Sequence, residues 1–181
     1  MRSMMLAAAL AVPLALAACS KTSVDEKNVS VETVAKKVAD SDLHFTPGRW
    51  ETTMKFEKLD MGPNMPPQAK DMFERMTGKV RSVSSCLTKE EAAKPEPKFF
   101  GGQSKECTYE HFTMGGGKID AKMACKRGTG PQDMTMTGNY TPESYDMTVQ
   151  TSGAPMQGMK MDVTMTMASK RVGECTGKED G

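Results

Sequence analysis

The side chains of this chain that could do chemistry carry sulfur: five cysteines and 18 methionines, against two histidines, in 181 residues. Thioethers are soft, polarizable and unbranched. They suit two tasks, holding Cu(I) and lining a wall that adapts to a flexible apolar guest. Zinc fits poorly, because no two cysteines have CxxC spacing and only His44 and His111 could add a ligand. There is no Gly-x-Ser-x-Gly elbow, HExxH, phosphate loop or Rossmann glycine pattern. Gly115-Gly116-Gly117 is glycine-rich but sits in a hairpin, without the helix N-terminus that would hold a phosphate. His111 is the one candidate general base in the domain, with Tyr109 on the same strand face as a potential polar partner. Glu90, Glu91, Asp120 and Asp162 fall on helices or polar strand faces and are expected to be solvated. Lys+Arg 24 against Asp+Glu 23 leaves no basic footprint for nucleic acid. No enzyme activity, catalytic residue, cofactor or metal is expected.

Cys19 is set apart by what precedes it. Arg2 leads into an apolar run from Leu6 to Leu16, of signal-peptide length and too short to span a bilayer as a helix. Leu16-Ala17-Ala18-Cys19 resembles the lipobox of bacterial lipoproteins, which implies cleavage before Cys19 and acylation of its sulfur. Ser20 rather than Asp after the cysteine implies, by the same resemblance, sorting to the outer membrane, on its periplasmic face. The expected division is a signal peptide over 1–18, lipidated Cys19 and a tether over 19–45, a β domain over 46–176 and a tail over 177–181. Within the tether, Val31, Val34, Ala35 and Val38 recur at helical spacing and predict a short amphipathic helix.

The elements that must position these residues are mostly strands. Pro47-Gly48 is a turn signal before a strand over 49–58. Pro66 and Pro67 start a helix whose stripe is Ala69, Met72, Phe73 and Met76, stopped by Gly78. A second strand covers 79–87. Thr88 and Glu91 have capping-box spacing and open a brief helix that Pro95 ends. Strands over 105–114 and 118–127 flank the three glycines, taken as a three-residue hairpin loop, so that Met114 opposes Lys118. This register puts Glu110 opposite Lys122, Glu106 opposite Lys126 and Tyr109 opposite Met123. The turn over 141–144 pairs Tyr140 with Tyr145, Gly138 with Met147 and Met136 with Val149. A last strand alternates Met159, Met161, Val163, Met165 and Met167 with polar residues. Short connections argue for an antiparallel meander forming a curved sheet or open barrel, with one or two short helices.

In an exported chain Cys86, Cys107, Cys125 and Cys175 are expected as two disulfides. The hairpin register sets Cys107 opposite Cys125, which leaves Cys86 with Cys175. Sequential pairing, Cys86–Cys107 with Cys125–Cys175, is the alternative. The methionines gather on one face in cross-strand rows such as Tyr109–Met123–Met136–Val149–Met161 and His111–Ala121–Gly138–Met147–Val163, where small neighbours leave space beside His111. The face serves as a core with Met filling its gaps, or as a ligand face of Tyr109, His111, Met123, Met136, Met147 and Met161. A third use is Cu(I) capture, for which Met156, Met159 and Met161 are the densest group.

Six motifs in order, Pro47-Gly48-Arg49-Trp50-Glu51, Cys86-Leu87-Thr88-Lys89-Glu90-Glu91-Ala92, Cys107-Thr108-Tyr109, Gly115-Gly116 with Cys125-Lys126, Thr137-Gly138-Asn139-Tyr140 and Arg171-Val172-Gly173-Glu174-Cys175, resemble the bacterial exported domain-of-unknown-function family 3617 over about residues 46–176. The resemblance implies an exported, single-domain envelope protein and brings no activity or site residue with it. The expected function is an outer-membrane-anchored periplasmic module that binds an apolar ligand or an envelope partner, with Cu(I) binding and a purely structural role as alternatives.

Overall fold

The computed structural model describes residues 23–63, 67–95, 106–127, 130–156 and 159–180. The signal peptide, Cys19 and Pro66 lie outside the described residues. Eight strands form one open, curved sheet: β1 (Ser23–Ser30), β2 (Gly48–Asp60), β3 (Val80–Leu87), β4 (Cys107–Gly115), β5 (Lys118–Arg127), β6 (Gly130–Thr141), β7 (Ser144–Met156) and β8 (Met159–Gly173). Their spatial order is β1-β4-β5-β6-β7-β8-β2-β3, and every neighbouring pair is antiparallel. The meander runs from β4 to β8, as the short connections require. There are three short helices among the described residues: α1 (Val31–Ala39), α2 (Pro67–Met76) and α3 (Lys89–Ala93). None is long and apolar enough to cross a membrane.

The segment expected as a tether is built into the fold from Ser23 onward. β1 pairs along β4, with Val24 opposite Met114 and Val29 opposite Tyr109. Ser30 then caps α1, its Oγ accepting from the Thr33 amide at 3.2 Å. The helical stripe Val31, Val34, Ala35 and Val38 is buried against the sheet. Each valine so buried contributes about 1.5–3 kcal/mol that a solvated tether would forgo. The valine spacing predicts the helix; its docking depends on β1, whose charged sequence Asp25-Glu26-Lys27 hides its strand character. The same charges, with Asn28 at φ 54, blunt this edge of the sheet against further pairing.

The hairpin between β4 and β5 differs from its expected form in two ways that cancel. The loop is the two-residue Gly116-Gly117, with Gly115 opposite Lys118 and Met114 opposite Ile119. Both loop glycines have positive φ, 57 and 77, the requirement of a type I′ turn. A bulge at Glu110 then takes up the extra residue, so Tyr109 still opposes Met123 and Cys107 still opposes Cys125. Glu110 reaches Lys122 at 2.7 Å in spite of the bulge. The bulge turns over the faces between itself and the loop, so that Phe112 and Met114 are buried. His111, expected beside Ala121 and Gly138, instead opposes Lys122 on the polar face, and its Nε2 lies 2.5 Å from Asp120 Oδ1.

A disulfide joins Cys107 and Cys125 across this hairpin, Cα–Cα 4.0 Å, and a second joins Cys86 to Cys175, Cα–Cα 5.4 Å. The second brings the end of the chain onto the free edge of β3. There the Asp180 amide donates to Ser84 O at 2.8 Å and its carboxylate accepts from the Ser84 amide at 2.9 Å. At the start of β2, Gly48 has φ 138, and a Cβ there would lie 2.3 Å from Gly173 O. Arg171 Nε donates to Pro47 O at 2.7 Å across the same contact. This close approach is why a glycine sits in Pro47-Gly48-Arg49, whereas Gly173 is required by its φ of 150 rather than by crowding.

Candidate ligand-binding cavity

One face of the sheet is mainly apolar, and it is covered over only part of its width. α1 lies on β1 and β4, and beneath it Tyr109, Met114 and Met123 are wholly buried. Burial pushes the Tyr109 phenol far above its ordinary range, so it stays neutral. Beyond the helix the face opens into a cavity of about 390 Å³. Its floor is Met136 of β6, Met147 of β7 and Met167 of β8. Its far wall is Leu87 of β3 with Ala92 and Pro95 around α3, and its near wall is Val38 and Leu43. The capping box closes α3: Glu91 Oε2 accepts from the Thr88 amide at 3.0 Å, and Thr88 Oγ1 accepts from the Glu91 amide at 3.1 Å.

Aromatic rings close one end. Phe45 meets Trp50 edge-on at 5.6 Å and Tyr145 at 6.0 Å, and Trp50 stacks on Tyr145 at 6.2 Å. The indole donates to Thr46 O at 3.1 Å, and the Thr46 amide donates to Pro142 O at 2.7 Å, which pins the segment after α1 to the β6–β7 turn. On the cavity floor Thr52 of β2 lies directly opposite Ser169 of β8, their hydroxyl oxygens 2.7 Å apart. A larger depression of about 800 Å³ involves Thr53, Lys55, Thr148 and Thr166, and Met54, Ile119, Met147 and Met167 border it too. It is open to solvent and rich in hydroxyls and charge, so it offers an apolar guest no enclosure.

Three of the six expected ligand-face residues line the cavity: Tyr109, Met136 and Met147. Met123 is packed in the covered core, opposite Met134 rather than Met136. Met161 opposes Gly153 rather than continuing the row from Val149, whose partner is Met165. His111 lies on the other face, so it forms no polar spot with Tyr109. Gly138 does oppose Met147, but it leaves no space: a Cβ there would lie 2.1 Å from Asp146 O. Met156 and Met159 pair through their backbones, and their side chains lie outside the described residues. No cluster of three or more His, Cys, Asp or Glu able to hold a metal occurs among the described residues. Sequence reasoning missed Thr52 and Ser169, 117 residues apart. The available signal was a hydroxyl in the apolar phase of two strands, Trp50-x-Thr52-x-Met54 and Met165-x-Met167-x-Ser169.

The profile of a family described as "Protein of unknown function (DUF3617)" matches residues 45–175. Neither a curated protein nor a solved structure matches the chain.

Proposed function

The chain belongs to the DUF3617 family, and from that premise we propose that it is an exported, lipid-anchored and non-enzymatic module whose cavity takes up an apolar ligand. The observation that carries this reading is the half-covered apolar face. About 390 Å³ of half-open space between Met136, Met147, Met167, Phe45 and Leu87 lies within the range of roughly 300–1,000 Å³ usual for small-molecule sites. Unbranched thioethers on its floor can repack around guests of different shape. A bilayer-proximal position suits such a ligand. With β1 beginning at Ser23, an acylated Cys19 would be four residues from the fold, a reach of at most about 14 Å. The lipobox supports that anchor, and Ser20 supports the outer membrane as its site.

The test uses the chain in two forms, intact and as an exported, oxidised Cys19→Ser variant. The intact chain is expected in the outer-membrane fraction and the variant in the soluble periplasm. The soluble variant is expected to brighten the neutral dye N-phenyl-naphthylamine with one site per chain. Met147→Trp, which fills the floor, should weaken that binding about tenfold or more. No brightening, or brightening that Met147→Trp leaves unchanged, rules out the cavity as the site.

A further inference from the structure

The cavity is mainly apolar, with Ser85, Glu91, Tyr109 and Tyr145 among its walls, and one buried hydroxyl pair on its floor restricts what it can hold. Thr52 and Ser169 are 7% and 5% exposed, with their hydroxyl oxygens 2.7 Å apart on the floor. Two hydroxyls carry two protons, and their mutual bond uses one. The remaining proton has no protein acceptor among the described residues, and a buried donor left unmet is costly. An occupant that brings an oxygen acceptor to this point removes that cost.

Charge sets the second restriction. No Lys, Arg or His lines the cavity among the described residues, and the one carboxylate at its wall is Glu91. An ionised fatty acid or phosphate entering here would lose its hydration with no counter-charge and would meet Glu91 as a like charge.

We propose that the ligand is a neutral amphiphile, a long apolar body ending in an ester, ketone or alcohol oxygen that accepts a hydrogen bond from the Thr52–Ser169 pair. This rests on the cavity reading above and narrows it. The hydrocarbon body lies over Met136, Met147 and Met167, and the oxygen seats at the β2–β8 step.

The experiment is competition against N-phenyl-naphthylamine at neutral pH, with the soluble Cys19→Ser chain and four competitors of equal chain length: dodecane, dodecanol, methyl laurate and laurate. Dodecanol and methyl laurate are expected to bind about tenfold tighter than laurate. Ser169→Ala and Thr52→Val should each weaken methyl laurate about tenfold and leave dodecane unchanged. Ser169→Thr, which keeps the hydroxyl, should keep the selectivity, so a loss through misfolding is recognised. Laurate binding as tightly as its ester, or ester affinity untouched by both hydroxyl deletions, overturns the proposal while the apolar cavity stands. Failure of all four competitors, dodecane included, overturns the cavity reading itself.

Discussion

Two halves of one sheet face use the same residue type for different ends. On β4 and β5, Met114 and Met123 are 2% and 0% exposed beneath α1, with Met114 also bordering the cavity. On β6 to β8, Met136, Met147 and Met167 occupy the same strand phase and are only partly buried, lining open space. Strand period, with the bulge at Glu110 in the case of Met114, places all five on one side, and nothing in the side chains separates them. What differs is the cover: one helix supplies contacts on one half, and on the other the segment after α1 and the short α3 stand off. A methionine stripe is therefore core or cavity wall according to what lies above it.

The comparison can be broken most directly by deletion of side chains. Met123→Ala, in the covered half, is expected to lower stability by about 2–5 kcal/mol in urea unfolding. Met147→Ala, whose side chain already borders open volume, should lower it by about 1 kcal/mol. Equal losses would mean that the cavity half is packed as tightly as the helix half. A smaller effect tests the cover itself. Ser30→Ala removes the cap of α1 and should lower stability by about 0.5–2 kcal/mol, with faster amide exchange over the first turn of the helix. Unchanged exchange there would show that β1, not the cap, holds α1 in place.

The smallest effect concerns the chain end that lies along β3, behind the open half. Glu179 is drawn down to about 2, first by the Thr176 amide bonded to its carboxylate, then by its own backbone amide, the Thr176 hydroxyl and the Gly177 amide. The folded value lies below the ordinary 4.5, so the carboxylate's contribution is complete above about 4.5 and is lost as pH falls through about 2. An NMR titration of Glu179, followed with protection of the Ser84 amide, should show the tail still seated at pH 3 and released near pH 2. A midpoint near 4.5 would mean that the Thr176–Glu179 turn does not hold in solution.

How far these features could be read beforehand depended on the range of the interactions that make them. The hairpin shows it well. A three-residue loop without a bulge and a two-residue loop with one give the same pairing beyond Glu110, so Cys107 and Cys125 meet either way. Only the stretch between loop and bulge differs, and His111 lies in it. Its face therefore turned on a backbone irregularity that alternation of side chains does not encode. The row from Tyr109 through Met123 also departs from its expected course, because β5 and β6 pair with Met123 against Met134, two residues from the expected Met136.

The sequence by itself determined the strand class, the division of each strand into a polar and an apolar phase, the capped helices, and the cysteines that face one another across a hairpin. These rest on contacts between residues close along the chain, where period and turn chemistry act directly. Only the tertiary structure decided that residues from Ser23 to Phe45 join the domain, that α1 seals one half of the sheet, and that Thr52 meets Ser169 at the floor of the other. Those outcomes depend on where distant segments come to rest against the sheet. A residue's phase tells which way it points; what it points into is set by whichever segment covers it.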